Sequence, residues 1–348
     1  MSRQPLRGVW LTNVGSRVLH SREAIARAMD LLAQTGFNAV FPVVWNQGFT
    51  LYPSRIMLEL FGIEIDPLYA EAQRDPLAEV IEEARRAGIR MVIPWFEYGF
   101  ASSPRADGGH LLLTRPAWTA RVSGGAPLVK NGLVWMNAFD PEVQNFVLGL
   151  MLEVATHYDI AGVQGDDRLP ALPVEGGYDP YTIGQFREAT GTNPPGWASE
   201  PGWVQWRADR LTKFLGRLYT QIKSVRPELL LSLAPSVYPF SLNHYLQDVA
   251  EWARRGWFDL LHPQVYRENF GKYRREIDRL KRDFPPEVAG RIAPGIAFKA
   301  NGVEIGVEDL RRRIALNRER GLGGEVFFYF DGLRANDGRM AQAFRDWM

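Results

Sequence analysis

Short apolar runs alternate with longer amphipathic stretches along the chain, and the amphipathic stretches close on Gly or Pro. Apolar runs of this length indicate buried strands, and the 3.6-residue spacing of apolar positions between them indicates helices. The predicted strands are Arg7–Asn13, Ala39–Trp45, Arg90–Glu97, Gly162–Arg168, Leu229–Ser236, Phe258–Tyr266, Arg291–Lys299 and Gly324–Asp331. The predicted helices are residues 22–35, 76–87, 141–157, 202–225, 243–255, 269–283, 307–320 and 336–347.

The number and order of these elements predict the fold. Apolar strands that alternate with helices are typical of a parallel sheet covered on both faces, and eight such units close a TIM barrel. A doubly wound open sheet is the alternative. However, no GxGxxG follows the first strand, and the alternation of strands and helices continues without interruption through the middle of the chain. We therefore predict an α/β fold, a single (β/α)8 TIM barrel that forms one domain over residues 1–348.

Three predicted connections are too long for a compact domain, namely residues 46–74, 98–140 and 169–201. Without them the chain has roughly the 250 residues of a typical barrel. They follow the second, third and fourth strands, so all three rise from the face at the carboxyl ends of the strands, where barrel active sites lie. The excess length therefore predicts a binding site at that face.

Composition narrows the function further. The 41 Lys and Arg nearly balance the 40 Asp and Glu, so neither nucleic acid nor anionic lipid is an expected partner. The chain has no cysteine, which excludes disulfides, thiolate catalysis and cysteine-ligated zinc. The first residues lack the apolar core of a signal peptide, and no apolar run is long enough to span a membrane. A soluble chain is expected, in the cytoplasm or, if a signal segment has been removed, in the periplasm or outside the cell.

The fourth predicted strand ends in Asp166, Asp167 and Arg168, and the two aspartates are candidate catalytic residues. Two carboxylates and a guanidinium do not serve an apolar core, and burying them unpaired is costly. Side chains alternate along a strand, so the two aspartates are not expected to face the barrel axis together. A glycosidase needs carboxyl groups on both sides of the scissile bond. The expected partner is Glu97 at the end of the third strand, with Asp331 at the end of the eighth as the other candidate.

Polar and aromatic side chains at the other strand ends suit sugar hydroxyls and ring faces. The candidates for substrate binding are Asn13, Trp45, Trp95, Arg168, Tyr238, His262, Gln264, Tyr266, Lys299 and Asp331. For Asp331, capping of the following turn is an equal alternative. Glu175 and Asp179, on the loop after the fourth strand, are further acidic candidates.

No cofactor and no metal site are predicted. The five histidines have neither HxH nor HExxH spacing, and the chain has no Walker loop and no GxSxG motif. A Mg²⁺ or Ca²⁺ ion bound by Asp166 and Asp167 remains an alternative, because hard cations prefer carboxylate oxygens.

Seven motifs carry a family resemblance. In chain order they are RGVWLTN, FNAVFPVVWNQGFTLYPS, VIPWFEYGF, VWMNAFDPEVQNF, YDIAGVQGDDR, APSVYPFSLNHYLQDVAEW and HPQVYR. In combination they resemble the glycosyl-hydrolase-like family ten proteins, bacterial TIM-barrel proteins related to glycosidases, in the form common in cyanobacteria. The resemblance extends from about Arg7 to Leu333.

The resemblance implies hydrolysis of O-glycosidic bonds in a bacterial glycan, with peptidoglycan glycan strands suggested for relatives, and the family's acid pair falls on Asp166 and Asp167. Relatives more often have a bulky residue at the position of Gly165 and tend to have Glu at that of Asp331, and both departures predict a roomier cleft. The chitinase-like signature has its acid Glu where Arg168 stands here, so a substrate-assisted mechanism is not expected.

The leading hypothesis is a glycoside hydrolase that acts on an oligosaccharide or polysaccharide. Asp166 would be the nucleophile or charge stabiliser, and Glu97 or Asp167 the proton donor. A glycan-binding barrel without catalysis and a metal-dependent carbohydrate hydrolase or deacetylase are the alternatives, since the fold alone does not decide among them. The oligomeric state is left open.

Overall fold

Eight parallel strands form the centre of the fold in the computed structural model, which describes residues 4–300, 302–335 and 338–347. They are β1 (Leu6–Leu11), β2 (Ala39–Pro42), β3 (Met91–Val92, resumed at Trp95–Phe96), β4 (Gly162–Gly165), β5 (Leu230–Leu233), β6 (Leu260–Leu261), β7 (Gly295–Ala297) and β8 (Gly324–Phe328). Each overlaps one predicted strand, so the predicted strand order is confirmed.

The strands pair in parallel around a ring. One sheet has the order β7-β8-β1-β2-β3 and the other the order β6-β5-β4-β3. The two segments of β3 are separated at Ile93 and Pro94, and a proline has no N–H to donate to a neighbouring strand. Backbone bridges from Leu261 to Ile292 and from Gln264 to Gly295 join β6 to β7. This is the parallel arrangement of the predicted TIM barrel.

A helix follows each strand and packs outside the ring. These helices are α1 (Arg22–Gln34), α2 (Pro76–Arg86), α3 (Pro141–His157), α4 (Pro201–Val225), α5 (Val249–Arg255), α6 (Phe270–Asp283), α7 (Val307–Glu319) and α8 (Arg339–Asp346). The predicted helix 243–255 is instead two helices, Phe240–Tyr245 and α5, because Leu246 has a left-handed φ of 60°. Residues 336 and 337 of the last predicted helix lie outside the described residues.

Local sequence explains where these helices begin. The side chains of Asp75 and Asp140 accept hydrogen bonds from the backbone N–H groups at the starts of α2 and α3. In both helices the next residue is proline, whose fixed φ suits the first helical position and whose missing N–H costs nothing there.

The loops after β2, β3 and β4 carry most of the additional structure, as predicted. They contain the strand pair Trp45–Asn46 and Phe49–Thr50, the helices Arg55–Phe61, Pro67–Glu71, Gly109–Thr114 and Pro180–Thr190, the 3-10 helix Pro116–Trp118, and an antiparallel sheet of Ala101–Ser103, Leu133–Trp135 and Val129–Lys130. Smaller elements are the strand pair Lys299–Ala300 and Val303–Glu304, the 3-10 helix Pro286–Arg291 and the helix Asp331–Arg334. The loops rise from the carboxyl ends of the strands, called the mouth below, and the opposite end is called the base.

Polar contacts as well as apolar packing fill the inside of the ring. The indole N–H of Trp10 donates to Gln164 Oε1 at 2.7 Å, and Gln164 Nε2 donates to Ser232 Oγ at 2.8 Å. All three residues are buried. This network fixes the orientation of side chains directly beneath the mouth. No helix in the described part of the chain is long and apolar enough to cross a membrane.

Candidate active site

A tight turn, rather than the end of a strand, carries the two aspartates. β4 ends at Gly165, and residues Asp166–Pro170, called the acidic turn below, reverse the chain through a hydrogen bond from Leu169 N to the Asp166 carbonyl (3.0 Å). The prediction that the strand continues to Arg168 is therefore wrong. The expectation drawn from it, that alternation turns the two aspartates apart, does not apply beyond Gly165.

Two glycines allow this turn to pack closely. A Cβ on Gly165 would lie 2.6 Å from the carbonyl oxygen of Leu169. A Cβ on Gly99, whose φ is +50°, would lie 2.1 Å from the carbonyl oxygen of Arg168. Neither position accommodates a side chain without moving the turn. The roomier cleft predicted from Gly165 is therefore wrong, because the turn itself fills the space.

Arg168 is the cation at the centre of the cluster. Its Nη1 lies 3.3 Å from Asp166 Oδ2 and 3.6 Å from Asp167 Oδ1. The same nitrogen donates to the backbone carbonyl of Glu97 at 2.8 Å, which ties the acidic turn to the end of β3. The guanidinium also lies over the ring of Tyr98, 5.6 Å from its centroid. One cation thus serves both aspartates.

Asp166 is the more enclosed aspartate, with 4% of its side chain exposed against 22% for Asp167. Gln264 Nε2, from the segment after β6, donates to Asp166 Oδ1 at 2.7 Å, while Arg168 occupies the other oxygen. Burial, and next the charge of Asp167, raise the pKa of Asp166, whereas Arg168 lowers it. Donors to both oxygens favour the ionised form against the cost of burial.

Glu97 reaches the cluster from β3, as predicted. Its Oε2 accepts a hydrogen bond from Asn46 Nδ2 at 2.6 Å, and the same Asn46 nitrogen donates to Asn13 Oδ1 at 2.9 Å. Burial, opposed by Arg168 and reinforced by Asp167, raises the pKa of Glu97 to about 7. A carboxyl with this pKa is able to donate a proton near neutral pH.

Aromatic rings form the floor beside these carboxyls. Tyr266 stacks on Phe328 with ring centroids 5.3 Å apart and planes 23° apart. Phe328 in turn meets the edge of the buried Trp95 at 6.4 Å. Burial, together with the charges of Asp166 and Asp167, raises the pKa of the Tyr266 hydroxyl. Tyr266 therefore lies next to the carboxyl cluster. Trp95 is only 2% exposed, so its predicted contact with substrate is wrong.

Two further predicted substrate contacts are wrong because the side chains belong to the core. Trp45 has no exposed surface, donates its indole N–H to the Gly99 carbonyl (3.0 Å) and packs against Phe146 of α3. His262 is equally buried, lies against Trp10 and pairs its Nδ1 with the Ala293 carbonyl at 2.8 Å. Burial lowers the pKa of His262 to about 4. Neither side chain is available to a sugar.

The remaining predicted residues lie away from the cluster. Tyr238 packs against Phe284, which ends α6. Lys299 is exposed and, with Asp331, lines a separate cavity of about 430 Å³ beside β7 and β8. Asp179 caps the helix Pro180–Thr190 through Thr182 N at 2.9 Å.

Sequence patterns did not identify several residues that surround the acidic turn. Gln247 Nε2 donates to the carbonyls of Asp166 (3.4 Å) and Pro170 (3.2 Å) from the segment after β5. Tyr245, in the same segment, has a pKa raised by burial and by the charge of Asp167. Lys130, at the tip of the loop after β3, pairs with Glu175 at 2.5 Å. The only sequence feature that could have pointed to these residues is their position in loops that follow the carboxyl ends of strands.

The described residues contain no group of three or more His, Asp or Glu side chains arranged to hold a metal ion. Arg168 instead lies between the carboxyls at the distances given above.

The profile of the family described as glycosyl hydrolase-like 10 matches residues 5–301. The chain belongs to this family. Among its relatives, the glycosyl hydrolase DigH of Escherichia coli K12 is 25% identical over 91% of this chain and 80% of the relative. The glycosyl hydrolase YngK of Bacillus subtilis is 24% identical over 76% of this chain and 54% of the relative. The family resemblance of the sequence motifs is thus confirmed.

Solved structures confirm the barrel. The glycoside hydrolase domain of PgaB (BpsB) from Bordetella bronchiseptica superposes with a TM-score of 0.71 at 16% identity, covering 99% of both chains. The catalytic domain of the β-amylase of Paenibacillus polymyxa superposes with a TM-score of 0.66 at 11% identity, covering 99% of this chain and 97% of that one. At these identities the likeness establishes the fold of this glycosyl hydrolase-like 10 protein.

Proposed function

We propose that this protein is a glycoside hydrolase that cleaves O-glycosidic bonds of a bacterial polysaccharide or peptidoglycan-type glycan with carboxyl groups at the mouth of the barrel. The observation that carries the proposal is a cluster at Arg168, whose guanidinium pairs with Asp166 and Asp167 and donates to the backbone carbonyl of Glu97. The Glu97 carboxyl is close enough for the charges of Arg168 and Asp167 to affect its pKa. Three carboxyl groups near one cation cannot all ionise without repulsion, so the cluster retains a proton near neutral pH. Glycoside hydrolysis needs a carboxylic acid and a carboxylate together.

Glu97 is the group to which we assign the acid role. Its pKa, raised to about 7 by burial, keeps a substantial protonated fraction at neutral pH. In the reaction its proton would pass to the glycosidic oxygen as the bond from that oxygen to the anomeric carbon breaks, so the leaving sugar departs as a neutral alcohol. Asp167, the more exposed aspartate, is the alternative proton donor.

Asp166 is the group to which we assign the carboxylate role. Gln264 and Arg168 donate to its two oxygens, which favours the ionised form against the burial that raises the pKa of Asp166. An ionised Asp166 would stabilise the positive charge that develops at the anomeric carbon, either as a counter-charge or by forming a covalent bond to it. The charge of Arg168 opposes the rise in the pKa of Asp166 that burial and Asp167 cause.

Family membership and fold support a carbohydrate substrate. Relatives with matching sequences are named glycosyl hydrolases, and a structural neighbour is a glycoside hydrolase domain. Polar groups beside the cluster, Asn13 and Gln264, suit sugar hydroxyls, and Tyr266 offers an aromatic surface. These groups carry no net charge, which fits recognition of hydroxyl-rich sugar units.

The test compares the wild type with Asp166→Asn on peptidoglycan glycan strands freed of peptides and on a panel of bacterial polysaccharides. We expect new reducing ends with the wild type and a loss of about 10³-fold or more with the variant. Circular dichroism should show both proteins folded at the assay temperature, because Asn keeps the shape of Asp. Unchanged turnover in Asp166→Asn would contradict the assignment, and glycan binding without new reducing ends would indicate a binding barrel instead.

A further inference from the structure

Phe240 is an aromatic side chain exposed near the mouth. It begins the helix Phe240–Tyr245 after β5 and is 45% exposed. One face of its ring is covered by the imidazole of His244, with centroids 4.2 Å apart and planes 29° apart. The residue stays 45% exposed despite this contact, so part of the side chain is open to solvent. An aromatic face open to water is a suitable surface for the C–H groups of a sugar ring.

The segment that carries Phe240 is fastened directly to the acidic turn and its continuation. Leu172 N donates to the Tyr245 carbonyl at 3.1 Å, and Val174 N donates to the His244 carbonyl at 2.9 Å. Gln247 Nε2 donates to the carbonyl of Asp166 at 3.4 Å. Hydrogen bonds from several positions hold the two segments in register, so Phe240 keeps a fixed position relative to the candidate carboxylates.

Tyr245, which lies between Phe240 and the acidic turn, is not free to bind a sugar. Its ring centroid is 6.1 Å from that of Phe240, and only 7% of the residue is exposed. Its hydroxyl accepts a hydrogen bond from Asn131 Nδ2 at 2.7 Å, and Lys130 Nζ lies 5.6 Å from its ring centroid. Tyr245 is therefore buried by its neighbours, and Phe240 is the adjacent ring that is exposed to solvent.

We infer that Phe240 is a stacking platform for a sugar unit outside the pair joined by the cleaved bond, and that the substrate is therefore a chain of several sugars. This inference rests on the proposed glycoside hydrolase function and names the length class of its substrate. In this proposal a glycan that extends from the carboxyl cluster past Tyr245 would reach Phe240, and a disaccharide held at the cluster would be too short to do so. Binding should thus depend on Phe240 only for longer chains.

The experiment measures dissociation constants by calorimetry for chains of two, four and six sugars. The probes are peptide-free peptidoglycan glycans, chito-oligosaccharides and cello-oligosaccharides, and the protein carries Glu97→Gln to prevent turnover. Adding Phe240→Ala should weaken hexasaccharide binding about tenfold and disaccharide binding less than twofold. Phe240→Trp should restore the affinity. Trp197→Ala, which removes another exposed aromatic side chain (63% exposed), is the matched control and should bind like its parent.

The outcomes separate the inference from the function on which it rests. An unchanged hexasaccharide affinity in Phe240→Ala, an equal loss at every chain length, or no binding of any hexasaccharide by the parent would each overturn the platform. Length-dependent binding that requires Phe240, in a wild type that releases no reducing ends, would support the platform and overturn the proposed hydrolysis.

Discussion

The mouth and the base of the barrel each hold a glutamate whose pKa is raised to about 7, Glu97 and Glu325, but the surroundings of the two differ. At the base, Glu325 is 1% exposed and faces Arg7 across adjacent strands β8 and β1, 3.7 Å from the guanidinium. At the mouth, Glu97 is only partly buried, and the Arg168 that donates to its backbone carbonyl also pairs with two more carboxyl groups. One carboxyl group at the base of the barrel lies near two arginines, Arg7 and Arg318, whereas three carboxyl groups at the mouth lie near one arginine.

The base is also closed by packing. Arg7 lies over the ring of Phe344 from α8, 5.4 Å from its centroid. Nearby, Tyr273 donates its hydroxyl to Asn317 at 2.8 Å, and both residues are completely buried. A substrate has no route to Glu325. A raised carboxyl pKa therefore does not by itself mark an active site. What distinguishes the mouth is access together with several carboxyl groups around one cation.

The largest expected effect is on activity, and only the mouth should show it. Glu97→Gln removes the proposed proton donor and should lower kcat by about 10² to 10⁴-fold on a glycan with a poor leaving group. Glu325→Gln makes the same chemical change at the base and should leave kcat within about twofold. Reducing-end release on the same glycan measures both. An equal loss of kcat in the two variants would contradict the assignment of the active site to the mouth.

The next effect is on the free energy of unfolding, and it concerns Glu325 at the base. A carboxyl whose pKa is near 4.5 when unfolded and about 7 when folded stabilises the folded protein below pH 4.5, and that contribution is lost as pH rises through 7. Glu325→Gln should therefore reduce the fall in unfolding free energy between pH 5 and pH 7.5 by about 1 to 3 kcal/mol. Urea denaturation at both pH values measures it. If the unfolding free energy of Glu325→Gln fell as steeply with pH as that of the wild type, the raised pKa of Glu325 would be contradicted.

The fold followed from sequence because its evidence is local. Apolar runs, helical spacing and cap residues such as Asp75 and Asp140 act within a few residues, and eight repeats of one unit define a barrel. The long loops at the mouth were predictable for the same reason. The break after Tyr245 was not predicted, because the left-handed turn there occurs at Leu246, a residue that rarely adopts it.

The site was predictable only to the extent that it lies at strand ends. Because parallel strands end together, Asp166 and Glu97 were expected to meet, and the structure brings them to one cluster. Which way a side chain points is not written in the sequence, so Trp45 and His262 were assigned to a site although they face the core. Contacts between loops, such as that of Gln247 with the acidic turn, depend on tertiary structure and give no local signal.

The smallest expected effect concerns the position of the pH optimum and tests how the mouth sets the pKa of Glu97. Asn46 donates to the Glu97 carboxylate and so favours its ionised form. Because an acid catalyst is lost on deprotonation, wild-type kcat/KM should fall as pH rises above about 7. Asn46→Leu removes the donor, raises the pKa of Glu97 and should move this fall upward by up to about one pH unit.

The substitution is suited to the test because Asn46 is fully buried and its Oδ1 accepts no hydrogen bond from the described residues, so Leu loses only the two donated bonds. Asn13→Ala is the matched control, since it removes the second partner of Asn46 and keeps the bond to Glu97. Its pH profile should resemble that of the wild type. A downward shift in Asn46→Leu, or no shift beside a clear loss of kcat, would mean that Glu97 is not the group whose ionisation limits the rate. The proton donor would then be Asp167, the more exposed carboxyl beside Arg168.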